Sequence, residues 1–210
     1  MLSDTNKHCQ QVNFINEIQI IRTKVLKAQT VQPIKSIVIT SPMAKDGKTV
    51  LAVNLAKSIA YTGKSVVYIH ANLRDTTSTS EFLLDSNGEY GLSDYLHSTD
   101  DLPYSKILFS TDVKNLSVVP NRVVSEDAAD LLSSQRFIDL VDLLKQKFDF
   151  LILDAAEIVE RPDSMNLVGQ ADAVILVARL KHTLKSSTSQ AVELLHELDA
   201  NVLGWVLGRS

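Results

Sequence analysis

SIVITSPMAKDGKTVLAVNLA, residues 36 to 56, decides how this chain is read. It opens as a strand, breaks into a loop and closes with Gly47-Lys48-Thr49 on a helix carried forward by Ala52, Val53 and Leu55. A loop of this shape holds phosphate because successive backbone N–H groups point inward and the helix start adds its positive end. A lysine then reaches the terminal phosphates, and a Ser or Thr hydroxyl serves Mg²⁺. Lys48 and Thr49 stand where those two roles require, and Gly47 lets the backbone pass close to the anion. The full spacing G-x-x-x-x-G-K-[ST] is broken, because Pro42 holds its first glycine position. A strand–turn–helix with an incidental Gly-Lys-Thr is the competing reading.

Working outward, short apolar runs rich in Val and Ile recur at 37–39, 66–69, 116–119, 150–153, 174–177 and 202–207. Continuous runs of that kind suit strands covered on both faces, the habit of parallel sheets. Between them Phe137, Leu140, Val141, Leu144 and Phe148 form one helical stripe, and Ala191, Val192, Leu195 and Leu198 another. Ile18, Ile21 and Val25 mark a leading helix. The alternation predicts an α/β fold, a mostly parallel central sheet with helices on both faces. Residues 1–35 read as an N-terminal helix and linker, and 36–210 as the body of one domain. Ligands on such sheets lie at the carboxyl ends of strands, so the loops after Ile39, Ile69 and Leu153 are the places for chemistry.

Composition narrows the classes. The 210 residues are 45% hydrophobic and 22% charged with a net charge of −4, enough for one filled core and without a basic surplus for nucleic acid. One cysteine, Cys9, allows no internal disulfide and fits a reducing compartment as an idle thiol. No apolar run approaches the roughly 18 residues of a membrane span. The polar start MLSDTNKHCQQ does not read as a secretory signal, which predicts a cytoplasmic protein. His8, His97, His182 and His196 lack ligand spacing and read as surface or helix residues, and Trp205 reads as core.

Several segments in order resemble the BY-kinases, bacterial tyrosine kinases of capsule and exopolysaccharide synthesis. Their domain is similar to the ParA/MinD group of P-loop ATPases. The carriers are Ile21-Arg22-Thr23, the SP…DGKT…NLA loop, IHANLR at 69–74, GLSDYL at 91–96, the run from Leu116 to Glu157 ending FLILDAAE, and Asn201 to Gly204. The resemblance covers residues 14 to 207. It implies a nucleotide set of Ala44, Lys45, Asp46, Gly47, Lys48, Thr49, Val50 and Arg179, with ATP or ADP and Mg²⁺ as cofactors. Thr49 and Asp154 take the metal positions, Asp154 as the acid of the second phosphate-site strand. Thr183 is either part of the loop near the nucleotide or a helix cap before Leu184. Lys45 falls where many relatives place glycine, at a cost of about 1 kcal/mol if its φ is positive.

The chain departs from that pattern where transfer chemistry is concentrated. Two aspartates of the family correspond here to His70 and Asn72, the remaining candidate catalytic residues. An imidazole of ordinary pKa about 6.5 could act as a base, but a ring nitrogen suits Mg²⁺ poorly. Ala155-Ala156-Glu157 replaces a small polar residue and two prolines, while Asn16 and Gln19 leave only Arg22 of the charged ring-assembly motif. Glu17, about 100° away on a helix, is a poor substitute. The last tyrosine is Tyr104, so self-phosphorylation on a tyrosine-rich tail has no obvious substrate, and Gly208 replaces a frequent asparagine near the base.

The resemblance therefore predicts a degenerate BY-kinase-like protein with weakened Mg²⁺ binding, a nucleotide-binding or scaffold component regulating exopolysaccharide assembly. The alternative is a working tyrosine kinase with unusual catalytic residues. A DNA- or division-positioning ATPase is disfavoured, because Met43 holds the place of that group's signature lysine. The implied partner is a membrane-bound chain-length adaptor, which would hold the chain at the inner membrane face. Further partners are copies of itself or an active paralogue, and no nucleic acid.

Overall fold

The computed structural model describes residues 2–76, 90–98 and 102–208. A long helix α1 (Leu2–Val31) leads into strand β1 (Ser36–Ser41), the phosphate-type loop and α2 (Lys48–Ala60). Strand β2 (Val66–His70) and the short α3 (Leu92–His97) follow, then a 3₁₀ turn (Tyr104–Lys106) and β3 (Phe109–Ser110). Beyond them come β4 (Leu116–Val119), α4 (Ala128–Ser133), α5 (Gln135–Lys147), β5 (Phe150–Glu157) and α6 (Pro162–Gln170). The described part ends with β6 (Ala173–Arg179), α7 (Lys185–Glu197) and β7 (Val202–Gly208).

Among the described residues the strands form one sheet in the order β3-β4-β2-β5-β1-β6-β7. Every pairing is parallel except β3 with β4, a two-residue antiparallel edge too short to show in the sequence. Alternation along each strand sends side chains to two cores. Ile37, Ile39, Val66, Tyr68, Phe150 and Ile152 pack with α2 and with Ile18 and Val25 of α1. Val38, Val67, Ile69, Leu151 and Leu153 pack with the stripe of α5 and with Ala191 and Leu195 of α7. Both faces being covered explains why the strands read as unbroken apolar runs.

Local chemistry fixes the boundaries. The Ser134 hydroxyl caps α5 by accepting from the Phe137 N–H at 3.3 Å, and Lys145 and Lys147 complement its last turn. Gly91 before α3 is required by crowding: a Cβ there would lie 2.7 Å from Arg122 N and 2.8 Å from Pro120 O. Arg22 is anchored within its own chain, its Nη1 donating to Ser58 O and Oγ at 3.3 Å each. The side chain of Cys9 lies outside the described part.

One expectation is corrected. Trp205 is not core but 45% exposed, because β7 is the outer strand and turns only Leu203 and Val206 toward the α2 side. A central strand would have covered both its faces.

Candidate functional site

The order β2-β5-β1 places three strand ends side by side, and the site grows from them. After β1 the chain turns through residues 42–47 under internal restraint. The Ser41 hydroxyl donates to Met43 O at 2.7 Å, and Met43 N–H donates to Asp46 Oδ2 at 3.1 Å. Two residues take left-handed backbone: Gly47 at φ 95° and Lys45 at φ 64°. Lysine at that φ carries the cost, about 1 kcal/mol, that a glycine there would avoid.

Gly47 also caps α2. The helix has no side-chain cap and no acid in its first turn, and Leu51 N–H, to Gly47 O at 3.1 Å, opens its ladder. The N–H groups of Lys48, Thr49 and Val50 thus face outward from the helix start, with open space around Gly47. Val50's own side chain is largely exposed.

A second loop clasps this one. Asp46, almost fully buried, accepts from the Thr183 hydroxyl at 2.6 Å, and His182 Nε2 lies 3.8 Å from the same oxygen. His182 Nε2 also donates to Ala44 O at 3.0 Å, and Leu184 N–H meets Met43 Sδ at 3.3 Å. Thr183 in turn accepts from Arg179 N–H at 2.6 Å, which brings the end of β6 to the loop. Of the two readings of Thr183, the loop contact is the one the structure shows. No side-chain cap closes α7.

Asp154 sits at the centre with no solvent exposure. Its Oδ2 accepts from the Tyr68 hydroxyl at 2.8 Å, and its Oδ1 has no hydrogen-bond partner among the described residues. Burial pushes the Asp154 carboxyl above its usual range, opposed by His70, the Thr49 and Tyr68 hydroxyls and Lys48. Burial likewise raises the Tyr68 phenol well above its usual value, with Asp154 adding to the rise, so it stays a neutral donor. His70 pairs with Asp154 across β2 and β5. Burial lowers the imidazole's pKa, against the pull of Asp154 and Asp75 and with the help of Lys48. Its ring is neutral at pH 7.

Asn72 is engaged in local structure, its Oδ1 accepting from Arg74 N–H at 3.3 Å across a turn. Arg74 Nε lies 3.4 Å from Asp163 Oδ1. Lys48 Nζ lies 3.8 Å from Glu157 Oε2, while Arg161 Nε donates to Glu157 Oε1 at 3.1 Å. Burial would raise the Glu157 carboxyl, but its backbone hydrogen bond, Arg161 and Lys48 together hold it below the usual range.

The structure therefore gathers Lys48, Thr49, Asp154 and His70 at one point, with Ala44, Asp46 and Arg179 around the clasp. Sequence reasoning passed over Tyr68 and Glu157. Tyr68 looked like any strand residue, whereas Glu157, a carboxylate close behind Asp154 in the same apolar run, was a visible signal.

A Gly-Lys-Thr loop between β1 and α2, on a parallel sheet of this order, defines a P-loop NTPase-type domain. A family model described as an AAA domain matches residues 34–202. The tyrosine-protein kinase CpsD of Streptococcus pneumoniae is 31% identical over 176 residues, spanning 84% of this chain and 76% of that protein. The tyrosine-protein kinase YwqD of Bacillus subtilis (strain 168) is 29% identical over 191 residues, 91% of this chain and 79% of that one. Among solved structures, the chimerical protein CapA2B2 superposes with a TM-score of 0.85 at 26% identity, covering 93% of this chain and 84% of that one. The chain belongs to the AAA domain family and, within it, to the bacterial tyrosine-kinase group.

Proposed function

We propose that this chain is a nucleotide-binding or scaffold component of exopolysaccharide or capsule assembly that has lost phosphoryl transfer. The carrying observation is His70, a neutral ring sealed against Asp154 where the family resemblance expects a carboxylate. The loop suits nucleotide phosphate: Gly47 leaves space, the first-turn N–H groups of α2 are uncapped, and Lys48 stands beside them. Bound ATP would supply a transferable phosphoryl group. The residues at hand fit Mg²⁺ poorly. Asp154 offers one unpartnered oxygen beside the Thr49 hydroxyl, and the neighbour across the strands is the His70 ring in place of a second carboxylate.

On this reading Lys48, Thr49 and Val50 hold phosphate, Asp46 and Arg179 position the loop, and Asn72 takes no part in chemistry. The protein acts through contacts, with a membrane-bound chain-length adaptor as the partner that keeps it at the inner membrane face. Among the described residues no helix is long and apolar enough to cross a membrane.

A working tyrosine kinase is the second reading, favoured by that unpartnered Asp154 oxygen beside Thr49. Incubation with Mg·ATP and a tyrosine-bearing substrate, alongside Asp154→Asn, separates the two. The expected result is no transfer above background in either protein. Transfer by the wild type that disappears in the variant overturns the first reading.

A further inference from the structure

Strand β5 carries one surplus residue. Ile39 pairs with Asp154 and Ser41 with Glu157, so two steps along β1 match three along β5. Strict alternation from Asp154, which faces the α2 side with Phe150 and Ile152, would send Glu157 to the opposite face. The bulge returns it to the side of Ile37, Ile39 and Ser41, where it meets Lys48 at 3.8 Å. Both side chains are about nine-tenths buried, and Arg161 fixes the far carboxylate oxygen at 3.1 Å. The lysine that a terminal phosphate would use is therefore already matched by an anion of the protein's own.

We propose that Glu157 is the specificity-determining residue of the phosphate site, selecting nucleoside diphosphate over nucleoside triphosphate. The inference rests on the reading of this loop as a nucleotide site. A terminal phosphate joined to Lys48 Nζ at a charge-assisted distance of about 2.8 Å must come within roughly 7 Å of the Glu157 carboxylate. In a largely buried site that separation leaves strong repulsion, which grows with the charge of the phosphate chain. The backbone N–H groups at the start of α2 are independent of Glu157 and serve a diphosphate unhindered. Arg161 tempers the carboxylate from the other side, so the two residues act on triphosphate in opposite senses.

The test is calorimetric titration of the full chain with ADP and ATP in the presence of EDTA, for wild type, Glu157→Gln and Arg161→Gln. Wild type is expected to prefer ADP. Glu157→Gln is expected to raise ATP affinity by at least about tenfold and ADP affinity by less than about threefold, the scale of one unit charge at this range. Arg161→Gln is expected to widen the ADP preference. Equal ADP:ATP ratios in all three proteins overturn the proposal and leave the nucleotide reading standing. Failure of every protein to bind either nucleotide overturns both. Should Glu157→Gln not fold, an unchanged or narrowed ratio in Arg161→Gln overturns the proposal alone.

Discussion

Burial holds His70 neutral while Asp154, its neighbour across the strands, is pushed toward its protonated form. The two shifts act oppositely on stability. With the folded pKa of His70 below 6.5, the unfolded chain binds more protons below that pH, and stability falls on acidification. With the folded pKa of Asp154 above 3.8, the folded chain binds more protons just above that pH, and stability falls as pH rises through the window. The interval from pH 7 to about 5.5 brackets the histidine's ordinary value, so its share is read there by comparison with a variant that lacks the imidazole. Urea midpoints of wild type are expected to drop across this interval, and those of His70→Gln to stay nearly level. Parallel pH profiles for the two proteins would show that His70 is not the titrating group. Of this cluster Lys48, Thr49 and Asp154 were legible in sequence, since each sits at a fixed offset from a strand end. The Tyr68 hydroxyl was not, because its partner lies 86 residues further along the chain.

At the level of elements, stripes and runs announced the helices and strands well, since a buried face leaves a period in the sequence. What a run cannot announce is whether its strand is central or outermost. Phe137, almost fully buried on α5, and Trp205 on β7 look equally apolar as letters, yet they differ in surroundings. Phe137→Ala is expected to cost about 3–5 kcal/mol, as a large side chain lost from a closed core. Trp205→Ala is expected to cost under about 1 kcal/mol, the range of partly exposed positions. Denaturant unfolding of both variants checks the contrast, and comparable losses would place Trp205 in a core after all. Since Trp205 is the only tryptophan, its fluorescence reports β7 without interference.

Across the whole molecule, the sheet order makes the site and the clasp makes it one unit. Residues 42–47 and 180–184 are far apart in sequence but share Asp46, Thr183 and His182. Thr183→Ala removes the closest donor to a buried carboxylate, at an expected cost of about 1–3 kcal/mol. Hydrogen exchange should then quicken in both loops while the central strands keep their protection. Faster exchange confined to one loop would mean that the clasp does not couple them. Such cross-loop contacts left no periodic mark, which is why the sequence offered Thr183 only as one of two possibilities.

The surplus residue in β5 has an evolutionary side. A strand end that differs from strict alternation by one position can be reset by deleting that position, with the rest of the sheet untouched. Removing one alanine between Asp154 and Glu157 would set the glutamate two residues after Asp154, opposite Ser41 and on the Lys48 side with no bulge at all. The anion thus survives a change of strand length, and a single substitution at Glu157 is the short mutational path between a lineage that welcomes the longer phosphate chain and one that turns it away.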